Sequence, residues 1–342
     1  MYKKLATKVA FAAINGDKNT WDMNIDKFDW HQGVALYGIW KVYKSIGNRE
    51  LLQFLISWAD KHLGEATQKT TVNSTCPLLT IAFIAEETQN RDYLDICIQV
   101  ADYIITKAPL TREGALEHTV VEDCDFSEQM WADTVFMACL FLAKLGTMID
   151  KKYSDFAVNQ LKLHIKYLMD KDDNLCYHAW NCKLQNHMSA VYWARANAWI
   201  IYTATEFLKI LGDFDGCDEV KEVVTKLASA YRKCVRPNGS FSTILNDPAS
   251  YDEASATAGI IAGLLQAVEL KVIDGSYLQM CRKGIRYLES VTRPNGEVMH
   301  VSTGTPVMKS ADEYKSIMRT MPALYGQGLT CIALCAYVEG LH

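Results

Sequence analysis

The sequence predicts an all-α toroid, an (α/α)6 barrel with six inner helices ringed by about six outer ones. Three observations carry this. Only seven of the 342 residues are proline and alternating β-branched runs are scarce, whereas stretches with helical apolar spacing dominate, such as "GVALYGIWKVYKSIG" and "YLDICIQVADYIITKA". Six segments are rich in small residues and apolar nearly all round, the mark of buried helices. They recur every ~45 to 70 residues, which leaves room for a helix pair and its loops.

The elements follow in order. "MYKKLATKVAFAAINGDKNTW" starts with a short apolar run that leads into polar residues without a small-residue cleavage site, so it reads as a first helix and not as a signal peptide. The inner helices are "GVALYGIWKVY" from Gly33, "CPLLTIAFIAEET" from Cys76, "WADTVFMACLFLAKLG" from Trp131, "WARANAWIIYTATEFL" from Trp193, "SATAGIIAGLLQAV" from Ser255 and "GQGLTCIALCAYV" from Gly326. Between them, residues near 49–63, 92–107, 153–170, 217–235 and 276–291 carry a charged face and belong outside. The connectors "TREGALEHT", "KDDNLCYHAW", "RPNGSFSTI" and "RPNGEVMHV" each pair a turn signal with a short extended stretch. The repeated "RPNG" points to duplicated units. All of these connectors precede inner helices, so they should open at one end of the toroid, where loops build sites. No internal boundary is rich in Pro, Gly or Ser, and residues 1–342 read as one catalytic domain.

Composition narrows the function. With 49% hydrophobic and 22% charged residues and a net charge of −5, the chain has no electrostatic footprint for nucleic acid or an anionic membrane. No segment approaches the ~20 apolar residues of a membrane span. There are eleven cysteines but no C-x-x-C pair, and Cys97, Cys139, Cys281, Cys331 and Cys335 sit in apolar helical patterns. That suggests reduced thiols and a cytoplasmic location. Cys176 and Cys182, near His178 and His187, lack the second ligand pair that zinc needs, so no metal is expected. No glycine loop for phosphate occurs, and no cofactor is expected.

Chemistry gathers where the inner helices begin. Trp30 and His31 stand at the first, Asn73 and Ser74 at the second, Trp131 and Asp133 at the third, and Trp193, Arg195 and Trp199 at the fourth. His118 and His178 lie in the connectors. Aromatic faces with a few polar groups suit sugars, and a fixed arginine suits a planar carboxylate, which it can grip with two parallel hydrogen bonds. Each residue also has a plainer reading: Asp133 as a helix cap, Arg195 as a structural ion-pair partner, the tryptophans as core. Their co-location at one rim is what favours a site.

The motifs "WHQGVALYGI" at 30–39, "WADTVFMACLFLAKLG" at 131–146, "YHAW" with "YWARANAWI" at 177–200, "GSFSTILNDPASYDEASATAGI" at 239–260 and "YGQGL" at 325–329 resemble glycoside hydrolase family 105. Its members are unsaturated rhamnogalacturonyl hydrolases, related to the family 88 unsaturated glucuronyl hydrolases. The resemblance spans nearly the whole chain and implies the same barrel. It also implies pectin-fragment degradation, by removal of a 4,5-unsaturated uronic acid from the non-reducing end of lyase products. The implied reaction is hydration of a vinyl ether. Asp133 would protonate C4 and activate the water that adds at C5, and an apolar pocket would favour its neutral form. His178, Trp193, Arg195 and Trp199 would line the uronate subsite, with Trp30 in the same pocket. Many relatives carry a second aspartate where this chain has Asn73, which bears on the substrate. Two other readings fit the toroid: a sugar epimerase that recruits His31, His118 and His178, and an oligosaccharide-binding protein without turnover.

Overall fold

A computed structural model describes residues 1–122, 124–319 and 321–340. In chain order the helices are α1 (Tyr2–Ile14), α2 (Trp30–Ile46), α3 (Arg49–His62), α4 (Val72–Thr88), α5 (Arg91–Thr106), α6 (a π-helical turn, Val135–Cys139, running into Leu140–Met148), α7 (Lys151–Leu168), α8 (Ala194–Leu211), α9 (Cys217–Cys234), α10 (Ala254–Glu269), α11 (Leu278–Ser290), α12 (Ala311–Ser316) and α13 (Leu324–Glu339). Two small antiparallel pairs lie in the connectors: β1 (Gln129–Trp131) with β2 (Ala179–Asn181), and β3 (Phe241–Ser242) with β4 (Asp252–Glu253).

Helices α2, α4, α6, α8, α10 and α13 touch in succession and α13 returns to α2, so the ring is closed. Helices α3, α5, α7, α9 and α11 each pack outside the inner helix they follow, and α1 takes the outer place against α13. The fold is the expected (α/α)6 barrel. Three of the outer helices, α3, α5 and α7, start on side-chain caps: Asn48 accepts from Glu50 N, Asn90 from Asp92 N, and Asp150 from Lys152 N. Each such cap contributes ~1 kcal/mol. Small residues let the inner helices close in. A Cβ on Gly38 would stand 2.5 Å from the Gly328 carbonyl oxygen, so α2 and α13 meet backbone to backbone there. The two "RPNG" turns are alike: Gly239 and Gly296 have φ of 90° and 95°, and their N–H groups donate to the Arg236 and Arg293 carbonyls at 2.8 and 2.9 Å.

Polar groups are concentrated at both ends of the ring. Toward the C-terminal end of α8, buried Glu206 accepts from Lys41 Nζ at 2.6 Å, Tyr37 at 2.8 Å and Tyr202 at 2.9 Å. Burial pushes this carboxyl up, but the Lys41 charge and the hydrogen bonds outweigh it and hold it at about 2. The opposite end, where the inner helices begin, carries the cavity described next. No helix among the described residues is long and apolar enough to cross a membrane.

Candidate functional site

The β1–β2 ladder brings the first two groups together. It pairs Trp131 with Ala179, and Ala132 N donates to the His178 carbonyl at 3.0 Å. Asp133 in the next turn thereby comes beside the His178 ring. Its Oδ2 lies 3.2 Å from His178 Nε2, and its Oδ1 accepts from Trp199 Nε1 at 3.1 Å. His178 Nδ1 is 2.6 Å from the Tyr314 hydroxyl, which also accepts from Met308 N at 3.3 Å. With that backbone donor filling one lone pair, the tyrosine proton can go to His178 Nδ1. The histidine then carries its own proton on Nε2 and donates it to Asp133. The π turn follows directly after this segment, a distortion common at functional sites.

Asp133 differs from the expectation of a neutral acid. Burial pushes its carboxyl up, but the hydrogen bond from His178, the His178 and His118 rings beside it and the Arg195 charge outweigh that. The carboxyl sits below its ordinary value. His118 is pulled down to about 4 and His178 is also lowered, in both cases chiefly by burial. The resting site therefore pairs a carboxylate with neutral imidazoles. Surrounding apolarity was the wrong guide, because two N–H donors aimed at an anion offset its desolvation.

Asp133, whose side chain is 14% exposed, opens into a cavity of about 400 Å³. One wall holds His118 stacked on Trp131, ring centres 4.3 Å apart and nearly parallel, with Phe126 beside them. Another holds Trp30, 3.9 Å from the His31 ring and 4.8 Å from Tyr325. Asn73, Trp193 and Arg195 complete the group of expected residues that line the cavity. His178 and Trp199 do not line it. They stand behind Asp133, buried, and act on the cavity through that carboxylate.

Arg195 departs from its expected role as a two-pronged carboxylate clamp. Its Nη1 donates to Ser302 O at 3.0 Å, Ser302 Oγ at 2.9 Å and Ser255 Oγ at 3.2 Å, and its Nη2 to Thr303 O at 3.0 Å and Thr305 Oγ1 at 3.2 Å. Trp193 and Tyr325 lie over it at 4.5 and 4.7 Å. Buried Glu253 is 3.6 Å away as counter-ion. That carboxylate also caps α10 through Ala256 N at 2.5 Å and accepts from Ser302 N at 2.9 Å. Both prongs are thus occupied, and Nε, buried without a hydrogen-bond partner among the described residues, is the donor left over. Arg195 holds the Thr303–Pro306 wall in place and lends the cavity its charge.

Sequence reasoning missed that wall, and also Asp22, Phe126 and Tyr314. Asp22 lines the cavity 3.6 Å from His31 Nε2, and burial pushes its carboxyl up against the lowering influence of Arg195. Its place in the segment that leads into the first inner helix, in the short 3-10 turn Trp21–Met23, was the available signal.

Comparison with known proteins agrees with the fold. The model of Glycosyl Hydrolase Family 88 matches residues 5–341. The chain belongs to glycosyl hydrolase family 88. It is 34% identical over 315 residues to the unsaturated rhamnogalacturonyl hydrolase YesR of Bacillus subtilis strain 168, covering 91% of this chain and 90% of that protein. A solved structure from Salmonella enterica, described as a possible member of the GH105 family, matches with a TM-score of 0.94 at 30% identity over 100% of this chain and 94% of its own. The unsaturated glucuronyl hydrolase of Bacillus sp. GL1 shares the fold, with a TM-score of 0.73 at 16% identity over 98% of this chain and 96% of its own. The resemblance carried by the "WADTVFM" and "WARANAW" motifs is therefore borne out.

Proposed function

We propose that the protein removes a 4,5-unsaturated uronic acid from the non-reducing end of lyase-generated oligosaccharides, with rhamnogalacturonan fragments as first choice, and that Asp133 carries the chemistry. The observation that supports this most is Asp133 itself: a carboxylate facing an aromatic cavity and held from behind by His178 and Trp199. The 34% identity to YesR supports the substrate class.

The reaction consumes one water. Asp133 gives a proton to C4 of the vinyl ether and takes one from the water that adds at C5. The hemiketal so formed opens to a keto-uronate and the shortened sugar, and Asp133 regains its starting state. A resting carboxylate becomes the required acid when the substrate arrives. The uronate brings a like charge and displaces water, and both favour the protonated form. A like charge brought close in a poorly solvated cavity raises a carboxyl, which moves Asp133 toward the proton-donor form. Trp30, Trp131 and Trp193 supply sugar-facing walls, Asn73 a hydroxyl partner, and Arg195 the balancing charge. Hydration of this kind does not require the carboxylate pair of ordinary glycosidases. We place the protein in the cytoplasm, because its eleven cysteines are all unpaired and nine are buried.

The test follows the ultraviolet absorbance of the unsaturated uronate on lyase-digested rhamnogalacturonan. Loss of signal with wild type but not with Asp133→Asn is expected. Persistence of the signal with this substrate and with glycosaminoglycan, ulvan and arabinogalactan fragments would refute the reading.

A further inference from the structure

Beside the catalytic cavity lies a second and larger one, of about 760 Å³. It is framed by the loop that enters α4, the last turns of α5 and the strip that follows α5. Val120, Glu122 and Cys124 on that strip line both cavities, so the strip is a rim between them and not a partition buried in the core. Lys69 Nζ donates to the Val121 carbonyl and ties the rim down from the side of the second cavity.

The lining differs from that of the catalytic cavity. Around the exposed ring of Tyr103 stand neutral polar side chains, Thr67, Gln68, Thr70 and Gln99. Gln68, Gln99 and the Tyr103 hydroxyl make no side-chain hydrogen bond among the described residues, which leaves amide and hydroxyl groups facing outward around an aromatic face. That combination suits a pyranose: an apolar ring face for the aromatic, and equatorial hydroxyls for the amides.

We propose that this cavity is the subsite for the part of the oligosaccharide beyond the scissile bond, with the chain crossing the rim at Val120, Glu122 and Cys124 and a sugar ring resting on Tyr103. The proposal rests on the hydrolase reading above for the identity of the chain that enters. The remainder of the substrate must lead away from the catalytic cavity, and this polar trough shares a rim with it.

Two measurements test this with the full-length protein. The first is the ratio of kcat/KM for an unsaturated tetrasaccharide to that for the unsaturated disaccharide, in wild type, Tyr103→Ala and Gln99→Ala. Each protein is its own control, so a general loss of stability cancels. Wild type should favour the longer substrate, and Tyr103→Ala should lower the ratio about five-fold, the scale of one aromatic contact. A ratio unchanged in both variants would overturn the subsite. The second needs no turnover. Cys124 is the exposed thiol of the chain, and its alkylation by a maleimide should be slowed by a saturated neutral trisaccharide in wild type and not in Tyr103→Ala. A Cys124→Ser control identifies the signal. Equal protection in both would confine the sugar to the catalytic cavity and refute the proposal. If wild type turns over no unsaturated substrate, the hydrolase reading falls, and this second measurement still decides the subsite.

Discussion

Asparagine matches aspartate in shape, so Asp133→Asn separates proton chemistry from packing. In wild type the two carboxylate oxygens accept from Trp199 Nε1 at 3.1 Å and from His178 Nε2 at 3.2 Å. The amide oxygen can keep the tryptophan, but its NH2 must then face His178 Nε2. His178 has to move its proton to Nδ1 and donate to the Tyr314 oxygen 2.6 Å away, and the tyrosine proton loses its acceptor. Two charge-assisted hydrogen bonds become neutral ones, a loss of ~1 kcal/mol each. Relief from burying a charge offsets part of this. The net change of about 1–2 kcal/mol corresponds to a few degrees in Tm for a chain of this size. Activity should respond on another scale, because positioned acid–base groups contribute about 10²–10⁴-fold and Asp133 serves as both acid and base. A fall of about 10⁴-fold in kcat/KM, with an unchanged far-ultraviolet spectrum, is the expected result. The wild-type carboxyl is lowered in the folded state, so its stabilisation is present above its unfolded value and is lost as pH falls through the folded one. The Tm gap between wild type and variant should close accordingly in acid. Retention of more than about a tenth of wild-type kcat/KM would refute the reasoning, since no other group holds the same place against the cavity.

Three further outcomes can be checked. Tyr314→Phe removes the donor that sets the His178 tautomer and should lower kcat about ten-fold, the value of one hydrogen bond of ~1.4 kcal/mol, with less effect on KM. Arg195→Lys replaces a planar fork whose Nη1 and Nη2 serve five acceptor atoms with three donors. It should cost about 2–4 kcal/mol in urea unfolding and raise KM as the Thr303–Thr305 wall loosens. Glu206→Gln strands Lys41 and should destabilise by about 3–5 kcal/mol at pH 7. The Glu206 carboxyl is held at about 2 against an ordinary 4.5, so its contribution is full above about 4.5 and disappears toward pH 2, where the variant and wild type should converge.

What the sequence disclosed depended on whether a feature is local or distant. The inner helices were legible because an all-round apolar pattern with small residues, as in "SATAGIIAGLLQAV", has few other uses. The rim was legible because the first four inner helices start with its chemistry. The π turn after Asp133 was not, since periodicity at 3.6 residues does not register one extra residue in a turn. Nor were the partners of His178 and Arg195, which lie 136 residues away at Tyr314 and 107 at Ser302. Local composition carries no record of which serine carbonyl will face which guanidinium. Trp199 and Trp193 looked alike in the "WARANAW" run, yet helix geometry puts one behind Asp133 and the other at the cavity wall.

The seating of α1 on α13 has a bearing on how the protein is made. Helix α1 is made before the other helices of the barrel, yet it finds its main partner only when the last inner helix has been synthesised, and the α2–α13 seam must wait almost as long. Until then five hairpins can form in order, each from neighbours in the chain, while the two flanks of the gap expose apolar faces meant for each other. Assembly should therefore be stepwise and end in one slow, long-range closure. A nascent or truncated chain stopped short of residue 324 would be left as an open arc, prone to pair with the open arc of another copy.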